Sequence, residues 1–424
     1  MPRKSLRRRV LDLMQERVQE LNFRQQMREV MDESDSFEDD LLIKETDHLK
    51  NLMKRRFLFR SSTYRKKRIK FNLDDALSYD SNIYNDEEFL NTFRITRDSF
   101  FLFLEEMKTK KAFIVKSKSS HQRPISYQLL VYLYRIGKEG SHGGSIEVAG
   151  YFGIGKGSID NYVKRVISAL DEIKDEIIYW PDESERKKMR KRLSPYGFRH
   201  CVGIIDGTLV ILDYRPLKYH ECYFSRKSFY ALNVMIVCDD QKRVIYYNAG
   251  WPGSTHDNRV FRNSQLYLNR GDFFSHQEYL LGDSAYSASP IMVQSFKKQS
   301  AQSELQPHNE FFNTCLAQVR ISTEHCIGML KGRFRCMKRS NIKLKDGKKE
   351  VKNVVDLIGS CIVMHNLLIN YDETDIPDSW YENEERRIDW SMYDEEEERI
   401  AQVTEENTDR RQYVFNSIVN NYLI

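Results

Sequence analysis

Three hydrophobic patterns follow one another along the 424 residues. Up to about residue 90 the chain is charged and polar, with only short amphipathic stretches such as Val10 to Leu21. This predicts a basic arm, partly helical and partly disordered, that holds no evident core. From Phe93 apolar residues recur at helical spacing. Thr96 stands where it can cap a helix carrying Phe100, Phe103, Leu104 and Met107, and after Pro124 a second stripe uses Leu129, Leu130, Leu133 and Ile136. Ser145 to Val166 then reads as a short helix, a glycine-containing turn and a new helix capped by Ser158. This is the layout of a helix-turn-helix whose second helix would present Asp160, Asn161, Lys164 and Arg165 to DNA, and a helical hairpin packed internally gives the same pattern. Glu183 to Arg192 predicts a helix rich in Arg and Lys, either a linker or a surface for a phosphate backbone.

Beyond Arg192 the pattern changes to that of strands. Cys201 to Leu212, Ala231 to Cys238 and Arg243 to Ala249 are apolar or β-branched runs separated by turn-like segments. A helix from about His256, a strand at Tyr279 to Gly282, and helices from about Ser322 and Val351 follow. Strands first, then alternation with helices, indicate an α/β layer protein. The tail beyond Tyr371 is acidic, although Asp389-Trp390 and Val414 to Leu423 hold enough apolar residues for a short docked helix. The expected division is a basic arm at 1–90, a helical domain with the helix-turn-helix at 91–195, an α/β domain at 196–371 and an acidic tail at 372–424.

Four acidic residues stand at the ends of apolar runs: Asp206, Asp257, Asp283 and Glu324. Asp206 interrupts what would otherwise be a buried strand, and Asp283 emerges after Leu280-Leu281-Gly282. A buried, unpaired carboxylate costs several kcal/mol, and metal coordination is one of the few arrangements that offsets it. Brought together, four carboxylates make an all-oxygen site for a hard divalent cation. Each also has a structural reading: a turn or helix cap for the two strand-end aspartates, a favourable helix-start charge for Asp257, and an ion pair with Arg320 for Glu324. Helical spacing puts Arg320, Glu324, Gly328, Lys331 and Arg335 on one stripe, from which Lys331 and Arg335 could hold phosphates. His256 and His325 adjoin acids but suit softer metals, and His365 sits in an apolar helix as a core residue.

The formal net charge of +5 hides a polarity. Basic runs lie early, at Arg7 to Arg9, Lys54 to Arg56 and Arg65 to Arg68, and acidic runs late, at Glu382 to Glu385 and Asp394 to Glu398. A basic front suits nucleic acid or nuclear import. The seven cysteines include no Cys-x-x-Cys pair and read as reduced core thiols. No stretch approaches the roughly 20 apolar residues of a membrane span, and the first residues lack the apolar segment of a secretory signal, so a soluble intracellular chain is expected.

Five ordered motifs carry a family resemblance: Gly203-Ile-Ile-Asp-Gly-Thr, Trp251-Pro-Gly-Ser-Thr-His-Asp-Asn-Arg-Val-Phe, Leu281-Gly-Asp-Ser-Ala-Tyr, Ser322-Thr-Glu-His-Cys-Ile-Gly-Met-Leu-Lys-Gly-Arg-Phe and Cys361-Ile-Val-Met-His-Asn-Leu-Leu-Ile. Over about residues 90–371 the chain resembles the PIF/Harbinger family of DDE transposases and their domesticated nuclease relatives. The resemblance implies an RNase H-like catalytic domain in which Asp206, Asp283 and Glu324 form the DDE triad and Asp257 is a further metal ligand. It implies Mg²⁺ or Mn²⁺ as cofactor, and two-metal cleavage and joining of DNA phosphodiesters. It also suggests a nuclear location, with a Myb-like accessory protein or a second copy of the chain as partners beside DNA. One departure stands out: the position after Asp206-Gly-Thr, often His in the family, is Leu209. A DNA-binding or chromatin-associated protein without catalysis and a nuclease without strand transfer are the alternatives.

Overall fold

The structure is a computed structural model that describes residues 6–31, 35–54, 71–81, 83–114, 122–275, 277–297, 306–345, 348–381 and 405–422. The chain divides into two compact units, Met1–Arg68 and Ile69–Ile424. In the first, α1 (Leu6–Met31) and α2 (Ser36–Lys54) bury Val18 and Leu21 against Leu42, with Leu41 and Leu49 packed around them. Arg28 pairs with Glu38 at 3.0 Å. The segment expected to hold no core therefore has a small one, built from a sparse apolar stripe that the surrounding charge conceals. The basic runs from Arg55 to Lys70, the acidic runs Glu382 to Glu385 and Asp394 to Glu398, and Asp389-Trp390 lie outside the described residues.

The second unit starts with helices: α3 (Leu73–Leu77), α4 (Asp86–Phe93), α5 (Arg97–Lys108), α6 (Ile125–Ile136), α7 (Ser145–Phe152), α8 (Lys156–Asp171), α9 (Lys174–Ile177) and α10 (Glu183–Leu193). Thr96 caps α5 as its sequence suggests, accepting from the Ser99 amide at 3.2 Å. Ser158 does not cap α8. That helix begins two residues earlier, after Gly155, without a side-chain cap. The turn before it is made by Gly153, whose φ of 65° ends α7 in the left-handed region. Val148 and Phe152 of α7 and Ile159, Val163 and Val166 of α8 share a core with α6, so the inner face of this helical pair is consumed by packing.

The sheet follows, with β1 (Cys201–Leu212), α11 (His220–Tyr223), β2 (Ala231–Cys238), β3 (Val244–Pro252), α12 (Asp257–Arg262), α13 (Gln265–Leu268), α14 (Arg270–Phe273), β4 (Tyr279–Gly282), β5 (Met292–Gln294), α15 (Pro307–Arg333), β6 (Arg339–Ser340), α16 (Lys348–Asn370) and α17 (Glu405–Tyr422). The strand order is β3-β2-β1-β4-β5, with β6 also pairing to β1. β1, β2 and β3 are antiparallel neighbours, whereas β4 and β6 run parallel to β1. The result is a mixed α/β architecture. One edge of β1 pairs with β4 as far as Ile204 and with β6 from Ile211. Between those points β1 has no strand beside it on that edge, and this notch lies next to Asp206.

α15 starts at Pro307 rather than near Ser322, and α16 at Lys348 rather than Val351. α16 is long and apolar enough to cross a membrane by length and composition, but 72% of its most apolar window is buried, as in a core helix. Its Asn366 amide donates to Val244 O at 2.7 Å and to Ile177 O at 3.0 Å while accepting from Val244 N at 3.0 Å. Helical layer and sheet share one core: Leu170 and Val166 lie with Ile236 and Ile358, and Tyr132 donates to Ser360 Oγ at 2.9 Å. Phe89 and Phe93 belong to the same core, so residues 71–90 fold with this unit rather than with the arm.

Nor does the fold stop at residue 371. The fully buried guanidinium of Arg333 pairs with Glu373 at 2.7 Å, and the same carboxylate accepts from Thr96 N and Oγ1 at 3.1 and 2.8 Å. Val414 and Ile418 of α17 complete a cluster with Phe198, Phe312 and Leu316, which confirms the docked helix expected there.

Candidate active site

Asp206 sits in the middle of β1 opposite Ile236, on the face packed by α15. Its Oδ1 accepts from the Gly207 amide at 2.8 Å, and its Oδ2 lies 3.3 Å from Arg320 Nη2. Burial and the neighbouring charge of Asp283 push its carboxyl up to about 7, against the pull of Arg320, and Asp257 adds to the rise. Arg320 also lies 3.8 Å from Glu324 Oε1, one turn along α15. The guanidinium thus bridges the first acid and the helix acid.

Asp257 opens α12, as expected, and approaches β1 from the opposite face. Gly207 makes this approach feasible, because any β-carbon there would collide with the Asp257 carboxylate. Asn233 of β2 donates to Asp257 Oδ1 at 2.7 Å and to Thr255 O at 2.9 Å, fixing the turn that delivers the acid. Burial raises the Asp257 pKa, Asn233 opposes the rise, and Asp283 adds to it. Asp283 leaves β4 just where the notch begins, and its Oδ1 accepts from the Ala285 amide at 2.9 Å. Asn258 and Ser287 exchange two hydrogen bonds, 2.8 and 3.1 Å, that tie the start of α12 to the loop after Asp283.

The structure therefore brings Asp206, Asp257 and Asp283 into one electrostatic neighbourhood and links Glu324 to it through Arg320. Among the described residues no three His, Cys, Asp or Glu side chains close into a ready-made metal cage. The donor chemistry nonetheless fits a hard cation, since all four groups are carboxylates and Arg320 is the cation paired with Asp206.

The remaining predicted residues scatter. Lys331 lies on the α15 face toward β1, where its ammonium donates to Leu209 O at 3.1 Å, inside the notch. Arg335 is not on the stripe, because α15 ends at Arg333 and Arg335 falls in the next turn, near Arg94 and Lys138. In α8, Asn161 and Lys164 are exposed, Arg165 donates to Gln128, and Asp160 accepts from Arg135 and Ser145, both at 3.0 Å. His256 precedes α12, His325 is exposed near Tyr381, and His365 is buried with Nε2 2.9 Å from Lys242 O. Asn233 was not anticipated. Its signal is the same as that of Asp206, a polar residue inside an apolar strand.

Residues 205–366 match the family described as DDE superfamily endonuclease. Among characterised sequences, the chain is similar to "Protein ALP1-like" of Arabidopsis thaliana, 21% identical over 68% of this chain and 72% of that protein. It is also similar to "Putative nuclease HARBI1" of Rattus norvegicus and of Homo sapiens, 24% identical in each case over 52% of this chain and 61% of theirs. The printed name of the second relative, a putative nuclease, agrees with the resemblance carried by the motifs. No solved structure matches the chain.

Proposed function

We propose that the chain is a divalent-metal-dependent DNA endonuclease of the Harbinger type, with Asp206, Asp283 and Glu324 as catalytic acids and Asp257 as a further metal ligand. The observation that carries this reading is Asp206. It is held in the middle of a strand, beside two more aspartates, so that negative charge accumulates where Arg320 is the cation within reach. A fold that gathers carboxylates against their own repulsion is explained by a cation that binds all of them. An RNase H-like core is supported by the order β3-β2-β1-β4-β5, antiparallel on one side of β1 and parallel on the other, with α15 carrying the third acid.

Bound Mg²⁺ or Mn²⁺ would activate the attacking hydroxyl and neutralise the leaving oxygen of the phosphodiester. The protein's part is to hold the acids. β1 and the notch fix Asp206, Asn233 and Gly207 fix Asp257, the Asn258–Ser287 pair fixes the Asp283 loop, and Arg320 holds the charge balance until the cation arrives. Joining by a freed 3′-hydroxyl would use the same carboxylates and belongs to the same proposal. For DNA contact, α8 offers Asn161 and Lys164 outward, with Arg165 committed to Gln128. We extend the proposal to nuclear import through the basic runs from Lys54 to Lys70, and to a Myb-like protein or a second copy as partner.

Asp206→Asn, Asp283→Asn and Glu324→Gln test the assignment. Each is expected to lower nicking of plasmid DNA in Mg²⁺ or Mn²⁺ by at least about a hundredfold, weaken Mn²⁺ binding in calorimetry, and leave DNA affinity within about twofold. Nicking near the wild-type rate by any of the three removes that residue from the site.

A further inference from the structure

The connection from β1 to β2, residues 213–230, is far longer than a hairpin needs and carries an unusual surface. Tyr219 is 76% exposed, Leu217 72% and Phe224 47%. Cations alternate with these side chains: Arg215, Lys218, Arg226 and Lys227, against Glu221 as the one acid between Tyr214 and Lys227. Single exposed apolar residues are ordinary, but three within eight positions, interleaved with positive charge, form a surface of one chemical type.

The loop is built rather than slack. The Leu217 amide donates to Leu344 O at 3.0 Å, and Ser225 closes on Phe229 O through its amide and hydroxyl, both at 2.8 Å. Tyr219 has φ 52°, a left-handed conformation that an aromatic residue adopts only when its surroundings impose it. Ser254 donates to Cys222 O through its amide at 3.2 Å and its hydroxyl at 2.7 Å. Ser254 belongs to the turn that delivers Asp257, so the loop is tied to the acid cluster itself.

We propose that this loop is a stacking platform for unpaired nucleotides beside the scissile phosphate, with Tyr219 and Phe224 as base-stacking side chains and Lys218, Arg226 and Lys227 on the flanking phosphates. The inference rests on the nuclease reading and adds its ligand: a DNA end with single-stranded bases, rather than intact duplex alone. Aromatic rings between cations are the surface that single-stranded nucleic acid uses, because every base offers a π-face and every linkage a charge. A partner protein is disfavoured by the four cations, which would have to be desolvated in an apolar interface.

The test uses the full chain, in EDTA to prevent cleavage, with 2-aminopurine in a short single-stranded overhang and a blunt duplex of the same sequence for comparison. Wild-type protein is expected to quench the probe and to bind the overhang more tightly than the blunt end. The Tyr219→Ala/Phe224→Ala variant should abolish quenching and weaken overhang binding about tenfold, with blunt-end binding within about twofold. Lys218→Gln/Lys227→Gln should weaken both DNAs and make the salt dependence shallower. The platform is overturned if wild-type protein binds DNA without quenching the probe, if the double-alanine variant binds both ends as wild type does, or if it loses both equally. Failure of the wild-type protein to bind any DNA would overturn the nuclease reading along with it, a result distinguishable from the other three.

Discussion

Gly207 and Asp257 compete for the same space: a β-carbon on Gly207 would lie 2.6 Å from Asp257 Oδ2 and closer still to Oδ1. The missing side chain in β1 is what lets an acid from α12 reach the strand that carries Asp206. Gly207→Ala is therefore expected to expel the Asp257 carboxylate while the strand survives. Nicking should fall about a hundredfold or more, with a loss of stability of about 1–3 kcal/mol. Steady-state nicking and urea denaturation measure the two effects, and an active Gly207→Ala variant would show that Asp257 need not approach β1.

Arg320 offers a second measurement. Its guanidinium neutralises Asp206 in the structure, so a cation binding there has to displace or share that contact. Arg320→Met keeps the bulk and removes the charge. The metal-free protein should lose about 2–3 kcal/mol, since the buried acid is left unpaired. Mn²⁺ should then raise its melting temperature more than it raises that of the wild type, because stabilisation by a ligand of the native state grows with the logarithm of its affinity. Equal Mn²⁺ shifts for both proteins would show that Arg320 does not guard the metal position.

The tail yields a third. Glu373, in the segment after Tyr371 that the sequence marks only as acidic, neutralises the buried Arg333 and receives two bonds from Thr96. Glu373→Gln should destabilise the protein by about 3 kcal/mol. Ile418, packed against Gly197 where φ is 90°, should cost about 2–4 kcal/mol on substitution by alanine. Both follow from chemical denaturation, and a stability unchanged within about 0.5 kcal/mol in either variant contradicts the packing described.

What the sequence made legible divides along the range of the interactions. β1, β2 and β4 could be read to the residue, since apolar runs have sharp ends. β5 and β6, three and two residues long, carry no periodicity to read. The first half of α15, which buries Phe312, Leu316 and Val319, was not read from the sequence, because its apolar positions are separated from the later motif by no break that marks a single helix. Projecting the helical period past Arg333 misplaced Arg335, since nothing in the period itself marks where a helix ends. Asp206 and Asp283 were visible because one interrupts and the other ends an apolar run, and Asp257 and Glu324 because of the motifs that carry them. Arg320 was visible as a partner of Glu324, but its bond to Asp206 joins residues 114 apart and has no local trace. Glu373, whose partner Thr96 is 277 positions away, is hidden for the same reason.

The Asn366 amide, bonded to both backbone groups of Val244 and to Ile177 O, acts as a single residue of counterfeit strand at the edge of the sheet. It draws on three regions at once: α16, the start of β3 and the end of the helical layer. A one-residue slip of α16 along the sheet would orphan all three groups, so the amide works as an alignment key that accepts one register. It also makes the two halves of this unit mutually dependent. Excising the helical layer would uncover the key, along with the apolar surface around it. Under the DNA contact proposed for α8, divergence of specificity is left to residues pointing outward from α8 and the loops, because the joint behind them cannot be exchanged piece by piece.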